Sequence, residues 1–168
     1  MDTYTLMVES VDFIDNLNIL NNNLKLELEN KNYIPTLMGN LFYDHEQKNP
    51  PFYNSPLLKE CEEKRIRFSR ACMMRTTMFE IGLNGGHSAF LSLMSNNAIT
   101  IFSNDIAKFY PPCPNIHPEI YVPEAAKTLK NIFNSRFNFI KGSCITEVPL
   151  FVKNNPQMVF DIIHIDGA

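Results

Sequence analysis

The sequence predicts an α/β fold that is doubly wound and Rossmann-like, with a mostly parallel sheet and helices on both faces. Short runs rich in β-branched and aromatic residues recur at 78–81, 98–106, 137–141 and 158–166, and this composition is typical of buried strands. Stretches with helical spacing separate the runs. The first run leads into a glycine-rich turn that a helical segment follows, which is typical of a parallel sheet with a ligand at its edge.

Composition limits the classes of function. The chain has 168 residues, 45% hydrophobic and 20% charged, which predicts a globular chain with a substantial core. Its net charge of -3 gives no electrostatic reason to expect a nucleic-acid partner. No apolar run approaches the roughly 20 residues that cross a bilayer, and the first residues lack the basic flank of a signal peptide. We therefore expect a cytoplasmic protein with no membrane partner.

The cysteines show no metal-binding or disulfide spacing. Cys61, Cys72, Cys113 and Cys144 contain no C-x-x-C pair. In the absence of a secretory context they are interpreted as reduced thiols. No structural zinc is expected.

Residues 1–55 are predicted to form a helical and loop extension that precedes an α/β unit at 56–168. Apolar residues recur at roughly helical spacing over residues 1–30, and the asparagines at 21–23 interrupt this pattern. Prolines and aromatic residues predict a loop over 31–54 that folds over another part of the protein. Asp44 and His45 lie there and are interpreted as a solvated pair rather than a metal or catalytic site.

A helix is predicted over 56–74, because Ser55 is a good N-cap and Pro56 is tolerated at the first helical position. The charged run at 59–67 is interpreted as a solvated face, although an arginine cluster for phosphate binding is the alternative.

Further along, prolines predict a long loop over 107–123 before a helix at 124–133. Four residues of that loop are expected to pack it rather than to form a lid: Tyr110, Cys113, His117 and Tyr121.

The glycine turn is the first predicted element of a ligand site. After Glu80 the chain passes Gly82, Gly85 and Gly86 before a helical segment. Glycine permits positive φ and close approach of a ligand, while a helix start presents unpaired N–H groups. The spacing G-x-x-G-G differs from the dinucleotide fingerprint G-x-G-x-x-G, which weakens a nicotinamide interpretation.

Two carboxylates follow later strands. Asp105 ends the second strand about 20 residues beyond the turn, where dinucleotide folds place a carboxylate on the ribose hydroxyls. Asp166 ends the fourth strand beside the predicted switch crevice, so we expect it next to the reacting centre. His164 lies inside that strand and is interpreted as a core histidine.

The motif E-I-G-x-x-x-G-x-S-A at 80–89, together with F-D-x-I-x-I-D-G at 160–167, resembles class I S-adenosylmethionine-dependent methyltransferases, and most closely methyltransferase domain family 24. The resemblance implies a cofactor site formed by Glu80, Gly82, Gly85 or Gly86, Ser88 and Asp105. In the family an aspartate after the third strand contacts the adenine amino group. Ser143 stands at that position here, so the charge-assisted part of that contact is lost.

The resemblance implies S-adenosylmethionine-dependent methyl transfer to a small-molecule acceptor, with Asp166 as the catalytic residue. Oxygen-methylating relatives use an acid here to hold a metal, but no second acid or histidine completes such a site, so none is expected. The resembled fold continues beyond a fourth strand, which implies a domain incomplete at its C-terminus, either a fragment or a form completed by self-association. Two alternatives stay open: a catalytically inert nucleoside-binding or interaction module, and an NAD-binding half.

Overall fold

A computed structural model describes residues 2–37, 41–43, 52–109 and 112–166. Its centre is a four-stranded, all-parallel sheet in the order β3-β2-β1-β4. The helices are α1 (Thr3–Val8), α2 (Val11–Asn30), α3 (Glu62–Met73), α4 (His87–Ser95), α5 (Pro118–Phe133) and α6 (Cys144–Asn154). The strands are β1 (Thr77–Ile81), β2 (Thr100–Asp105), β3 (Phe137–Lys141) and β4 (Ile162–Ile165).

The order of the strands confirms the predicted fold class. From the central β1 the chain winds outward to β2 and β3, and then returns to place β4 on the other side of β1. The winding direction therefore reverses between β1 and β4, which makes the carboxyl ends of these strands a topological switch point. Helices α2, α4 and α5 pack together around a core of aromatic and aliphatic side chains.

Backbone hydrogen bonds extend the ladders past the ends of the strands. The N–H of Gly82 donates to Asn104 O at 2.8 Å, and the N–H of Asp166 donates to Ile81 O at 2.9 Å. These bonds fix where the residues after β1 and β4 lie relative to one another. Asp105, which pairs with Lys141 of β3, ends at the same edge.

The asparagine run does not interrupt the N-terminal helix. The break lies at Glu9 and Ser10, whereas residues 21–23 lie inside α2. Asn21 is buried, and the side-chain amide of Asn23 donates to the Thr128 hydroxyl on α5 at 3.0 Å. Tertiary hydrogen bonds thus offset the low helix propensity of asparagine.

The helix predicted over 56–74 begins later, at Glu62, after a 3-10 turn at Lys59–Cys61. The interpretation of its charged run as a solvated face is wrong at Arg65, which is only 3% exposed. Its guanidinium donates to Tyr4 Oη at 2.8 Å and to the backbone oxygens of Leu41 and Leu58 at 3.0 and 2.7 Å. A buried cation is tolerated there because its donors are satisfied by these partners.

The loop predicted over 107–123 is shorter than expected. Helix α5 begins at Pro118, where a missing N–H costs nothing, and it continues through Pro123. Tyr121 and Val122 are fully buried on α5, and their burial offsets the loss of the backbone hydrogen bond that Pro123 cannot donate.

Three residues singled out in the sequence, Tyr110, Asp44 and His45, lie outside the described residues. In the part of the chain that the structure describes, no helix has the length and apolar character that crossing a bilayer requires.

Candidate functional site

The glycine turn between β1 and α4 is held in conformations that favour glycine. Gly82 and Gly86 have φ values of 93° and 79°, and Asn84 between them has a φ of 52°. A Cβ on Gly86 would lie 2.8 Å from Leu129 Cδ1, and one on Gly85 would lie 3.1 Å from Leu37 Cδ1. Position 86 therefore favours glycine through both its positive φ and its limited space, whereas a Cβ at 85 would need Leu37 or His87 to shift by a few tenths of an ångström.

Glu80 lies beneath this turn and is completely buried. Its carboxylate accepts hydrogen bonds from the hydroxyls of Ser88 on α4 and Ser103 on β2, the latter at 2.5 Å. Its pKa is raised from 4.5 to about 7, chiefly by burial; the hydrogen bonds from Ser103 and Ser88 act to lower it, and the charges of Asp166 and Asp105 act to raise it. Ser88 thus braces Glu80 as well as lining the site. The sequence analysis did not predict Ser103 as a site residue, because a single serine inside an apolar strand does not indicate a role.

Asp105 is joined directly to the glycine turn. Its Oδ2 accepts a hydrogen bond from the backbone N–H of Asn84 at 3.0 Å, and its Oδ1 accepts one from Ala107 N at 2.7 Å. Asn84 in turn accepts a hydrogen bond from the Tyr121 hydroxyl at 2.9 Å. Each carboxylate oxygen can accept a second bond, so Asp105 keeps capacity for the paired hydroxyls of a ribose.

A small cavity brings together residues from three of the predicted motif positions. Gly85, Ser88 and Asp166 line it, and its volume is about 10 Å³. Its other lining residues are Leu41, Leu83, Asn84 and His87. Leu41 comes from the loop predicted over 31–54, and at this residue the loop lies against the glycine turn.

His87 is a site residue that sequence reasoning missed. It is 2% exposed at the first position of α4. Its Nε2 lies 2.9 Å from Asn21 Oδ1, and the Asn21 amide nitrogen donates to the Tyr43 hydroxyl at 2.7 Å. Burial lowers the pKa of the imidazole from 6.5 to about 3, so the ring is neutral at physiological pH. The only local signal was a histidine between Gly86 and Ser88 in the motif.

Ser143 lies at the end of the neighbouring strand β3. Gly142, directly before it, has a φ of 140° and donates its N–H to Asp105 O at 2.9 Å. The Ser143 hydroxyl accepts a hydrogen bond from Ile145 N at 3.4 Å as the N-cap of α6. Asn104 braces this corner, because its side-chain amide donates to Ile140 O and Gly142 O at 2.9 and 3.1 Å.

His164 lies away from the cavity, half-buried on the α3 side of β4. Its ring centroid is 4.9 Å from that of Phe68, and burial lowers its pKa. Within the described ranges, no group of three or more histidine, cysteine, aspartate or glutamate side chains is arranged to hold a metal ion.

Among the comparisons with known proteins, those with solved structures find a likeness of fold. No protein-family model matches the chain, and no curated protein matches it. Among solved structures, the fold is similar to the apo form of TDP-rhamnose 3'-O-methyltransferase, an enzyme of calicheamicin biosynthesis. The two are 16% identical over 99% of this chain and 70% of that one, with a TM-score of 0.46.

Proposed function

We propose that this chain binds S-adenosylmethionine and transfers its methyl group to a small-molecule acceptor. The observation that carries the proposal is the 3.0 Å hydrogen bond from Asn84 N to Asp105 Oδ2, which joins the glycine turn to the acid of β2. A carboxylate held beside a glycine turn, at the carboxyl ends of parallel strands, is the arrangement that binds a nucleoside. The turn's spacing favours an adenosyl cofactor over a dinucleotide.

The residues present fit such a cofactor. Asp105 would accept hydrogen bonds from the ribose hydroxyls, and Gly82, Gly85 and Gly86 would border the amino-acid end. Ser143, beside the Gly142 that bonds to Asp105, would contact the base. When bound, S-adenosylmethionine would supply an electrophilic methyl group on a sulfonium centre, with the neutral thioether S-adenosylhomocysteine as the leaving group.

Asp166 is the proposed catalytic residue. It follows the exposed end of β4, lines the cavity beside Gly85, and is itself exposed to solvent. A carboxylate there could take the proton of an acceptor hydroxyl, which would make the acceptor oxygen a better nucleophile toward the methyl group of the bound cofactor. Most of the acceleration would come from positioning the two reactants in line.

We place this reaction in the cytoplasm. All four cysteines are free thiols, including Cys144, which is exposed on α6. Free, unpaired thiols are typical of a reducing compartment.

A second candidate is an inert nucleoside-binding or interaction module. Three observations favour it. Leu37 packs within 3.1 Å of the position that a Gly85 Cβ would take, and the cavity of about 10 Å³ holds roughly one water molecule. Ser143 also lacks the charge that an aspartate would bring to the base.

Calorimetric titration with S-adenosylmethionine, S-adenosylhomocysteine and NAD tests the proposal. We expect saturable binding of the two adenosyl ligands alone, and its loss in Gly85→Val, whose side chain would collide with Leu37 and His87. Ala98→Val is the matched control, because it introduces a valine at an exposed position away from the glycine turn. Preference for NAD, or no binding by any ligand, would contradict the proposal.

Turnover distinguishes the two candidates. Incubation with methyl-labelled S-adenosylmethionine and a panel of small hydroxyl and amine compounds should give a labelled product. The label should be retained in Ala98→Val and lost in Asp166→Asn. Tight cofactor binding with no transfer to any acceptor would favour the inert module.

A further inference from the structure

Two backbone donors in an unusual conformation hold the carboxylate of Asp105. Its Oδ2 accepts from Asn84 N at 3.0 Å, and its Oδ1 accepts from Ala107 N at 2.7 Å. The φ angles of Asn84 and Ala107 are 52° and 47°, in the left-handed region that residues other than glycine rarely adopt. Such backbone strain persists only where neighbouring contacts enforce it, and it is concentrated at functional sites. The contacts that hold these two donors therefore bear on the orientation of Asp105.

A side chain from another element holds Asn84. Its Oδ1 accepts a hydrogen bond from the Tyr121 hydroxyl of α5 at 2.9 Å, across 37 residues of sequence. Asparagine is suited to the left-handed region because its short polar side chain can form such bonds. Ala107, in contrast, lies only two residues after Asp105 and is 6% exposed, so chain connection and burial hold it. The donor to Oδ2 therefore depends on Tyr121, whereas the donor to Oδ1 does not.

The ring of Tyr121 is a fixed anchor for this bond. It is 1% exposed on α5, next to Val122, which is fully buried. The backbone N–H of Tyr121 donates to His117 O at 3.2 Å, which ties the residue to the start of the helix. A phenylalanine ring would bury the same apolar surface, so packing alone does not require the hydroxyl. The bond to Asn84 gives the hydroxyl a role that packing does not supply.

We propose that Tyr121 is a positioning residue of the ligand site, which acts through Asn84 to keep the Asp105 carboxylate oriented for the two hydroxyls of a vicinal diol. The inference rests on the proposed function in one respect, because that function brings ribose hydroxyls to Asp105. A carboxylate that is already oriented does not have to be ordered when the ligand binds. The hydroxyl of Tyr121 therefore contributes to affinity without touching the ligand.

Amide hydrogen exchange, followed by NMR in the full chain without ligand, tests the action on Asn84. Tyr121→Phe should speed the exchange of the Asn84 N–H by at least about tenfold, because its bond to Asp105 opens more often. Gly82 is the internal control, since its N–H donates to Asn104 O at 2.8 Å in the same turn. Unchanged exchange at Asn84, or an equal increase at Gly82, would overturn the inference.

Calorimetry with adenosine and 2',3'-dideoxyadenosine tests the consequence for binding. The wild type should bind adenosine more tightly, because only adenosine brings a diol to Asp105. Tyr121→Phe should lose about 3- to 10-fold in affinity for adenosine, the scale of one hydrogen bond. Its affinity for dideoxyadenosine should stay within about twofold of the wild-type value. An equal loss for both nucleosides would mean a purely structural role for Tyr121 and would overturn the inference.

Glycine at position 84 provides a rescue experiment. Because glycine adopts positive φ without an anchor, Asn84→Gly should make the Tyr121 hydroxyl dispensable. Adding Tyr121→Phe to Asn84→Gly should then change adenosine affinity by less than about twofold, and the full loss in the double variant would contradict action through Asn84. Tyr4→Phe is the matched control. It removes another buried tyrosine hydroxyl, which accepts from Arg65 at 2.8 Å, and should leave the affinity for both nucleosides within about twofold of the wild-type value.

The nucleosides also separate this inference from the proposed function. Diol-dependent adenosine binding that weakens in Tyr121→Phe, without binding of S-adenosylmethionine, would retain the inference and remove the proposed function. Binding and turnover of S-adenosylmethionine by a wild type that binds both nucleosides equally would do the reverse. No binding of either nucleoside would also overturn the inference.

Discussion

Replacing Glu80 by glutamine should make the protein more stable at pH 8 and leave its stability nearly unchanged at pH 4.5. The Glu80 carboxyl is fully buried, and its pKa is raised from its ordinary value of 4.5 to about 7 in the folded protein, chiefly through burial. One pKa unit corresponds to about 1.4 kcal/mol, so ionising this group in the folded protein costs about 3 kcal/mol more than in the unfolded chain.

Stability falls as the pH rises because the pKa of Glu80 is higher in the folded than in the unfolded state. Below pH 4.5 the carboxyl is protonated in both the folded and the unfolded states, so its protonation favours neither. Above pH 4.5 the unfolded chain ionises first, and the folded state loses stability progressively until the pH passes about 7. The amide of Glu80→Gln does not ionise and keeps polar contact with Ser88 and Ser103, so it removes this loss.

The assay is urea denaturation of both proteins at several values between pH 4.5 and pH 8. The chain has no tryptophan, so far-UV circular dichroism follows unfolding. The free energy of unfolding of the wild type, minus that of Glu80→Gln, should fall by about 3 kcal/mol across this range. Histidine titrations cancel in the difference. Glu63→Gln, at an exposed position on α3, should show no such trend. A difference that stays constant with pH would refute the reasoning.

Three further substitutions test the contacts that build the site. Asp105→Asn should lower S-adenosylmethionine affinity by about 1.5–3 kcal/mol, the scale of hydrogen bonds to a charged group, whereas unchanged binding in calorimetry would remove Asp105 from the site. Arg65→Met should destabilise the protein by roughly 3 kcal/mol in urea, because it leaves buried carbonyl partners unpaired, while exposed Arg67→Met should change stability by under about 1 kcal/mol. Gly86→Ala should cost at least about 1 kcal/mol in thermal unfolding, since its φ is 79° and its Cβ would lie 2.8 Å from Leu129, and a neutral result would contradict the packing argument.

Much of the fold followed from local patterns in the sequence. Strand composition, the glycine turn and the alternation of elements depend on neighbouring residues, so they predicted the parallel doubly wound sheet. The position of Asp105 relative to the glycines was also local, because both follow adjacent strands of one βαβ unit. The roles of the predicted site residues stay predictions that binding experiments must test.

Other features depended on contacts between distant parts of the chain. Proline and asparagine content misplaced the start of α5 and the break before α2, because burial of Tyr121 and the bond from Asn23 to Thr128 outweigh local propensity. Charge likewise suggested that Arg65 is solvated, whereas the backbone oxygens around it make burial tolerable.

By itself, the sequence determined the α/β architecture and placed glycines and carboxylates at the carboxyl edge of the sheet, since both are written in short-range spacing. Only the tertiary structure showed that Asn21 from α2 meets His87 at the start of α4, a pair 66 residues apart. That contact holds the imidazole in the wall of the cavity that Asp166 also lines. No local pattern reports such a pairing, because its partners become neighbours only when the helices pack.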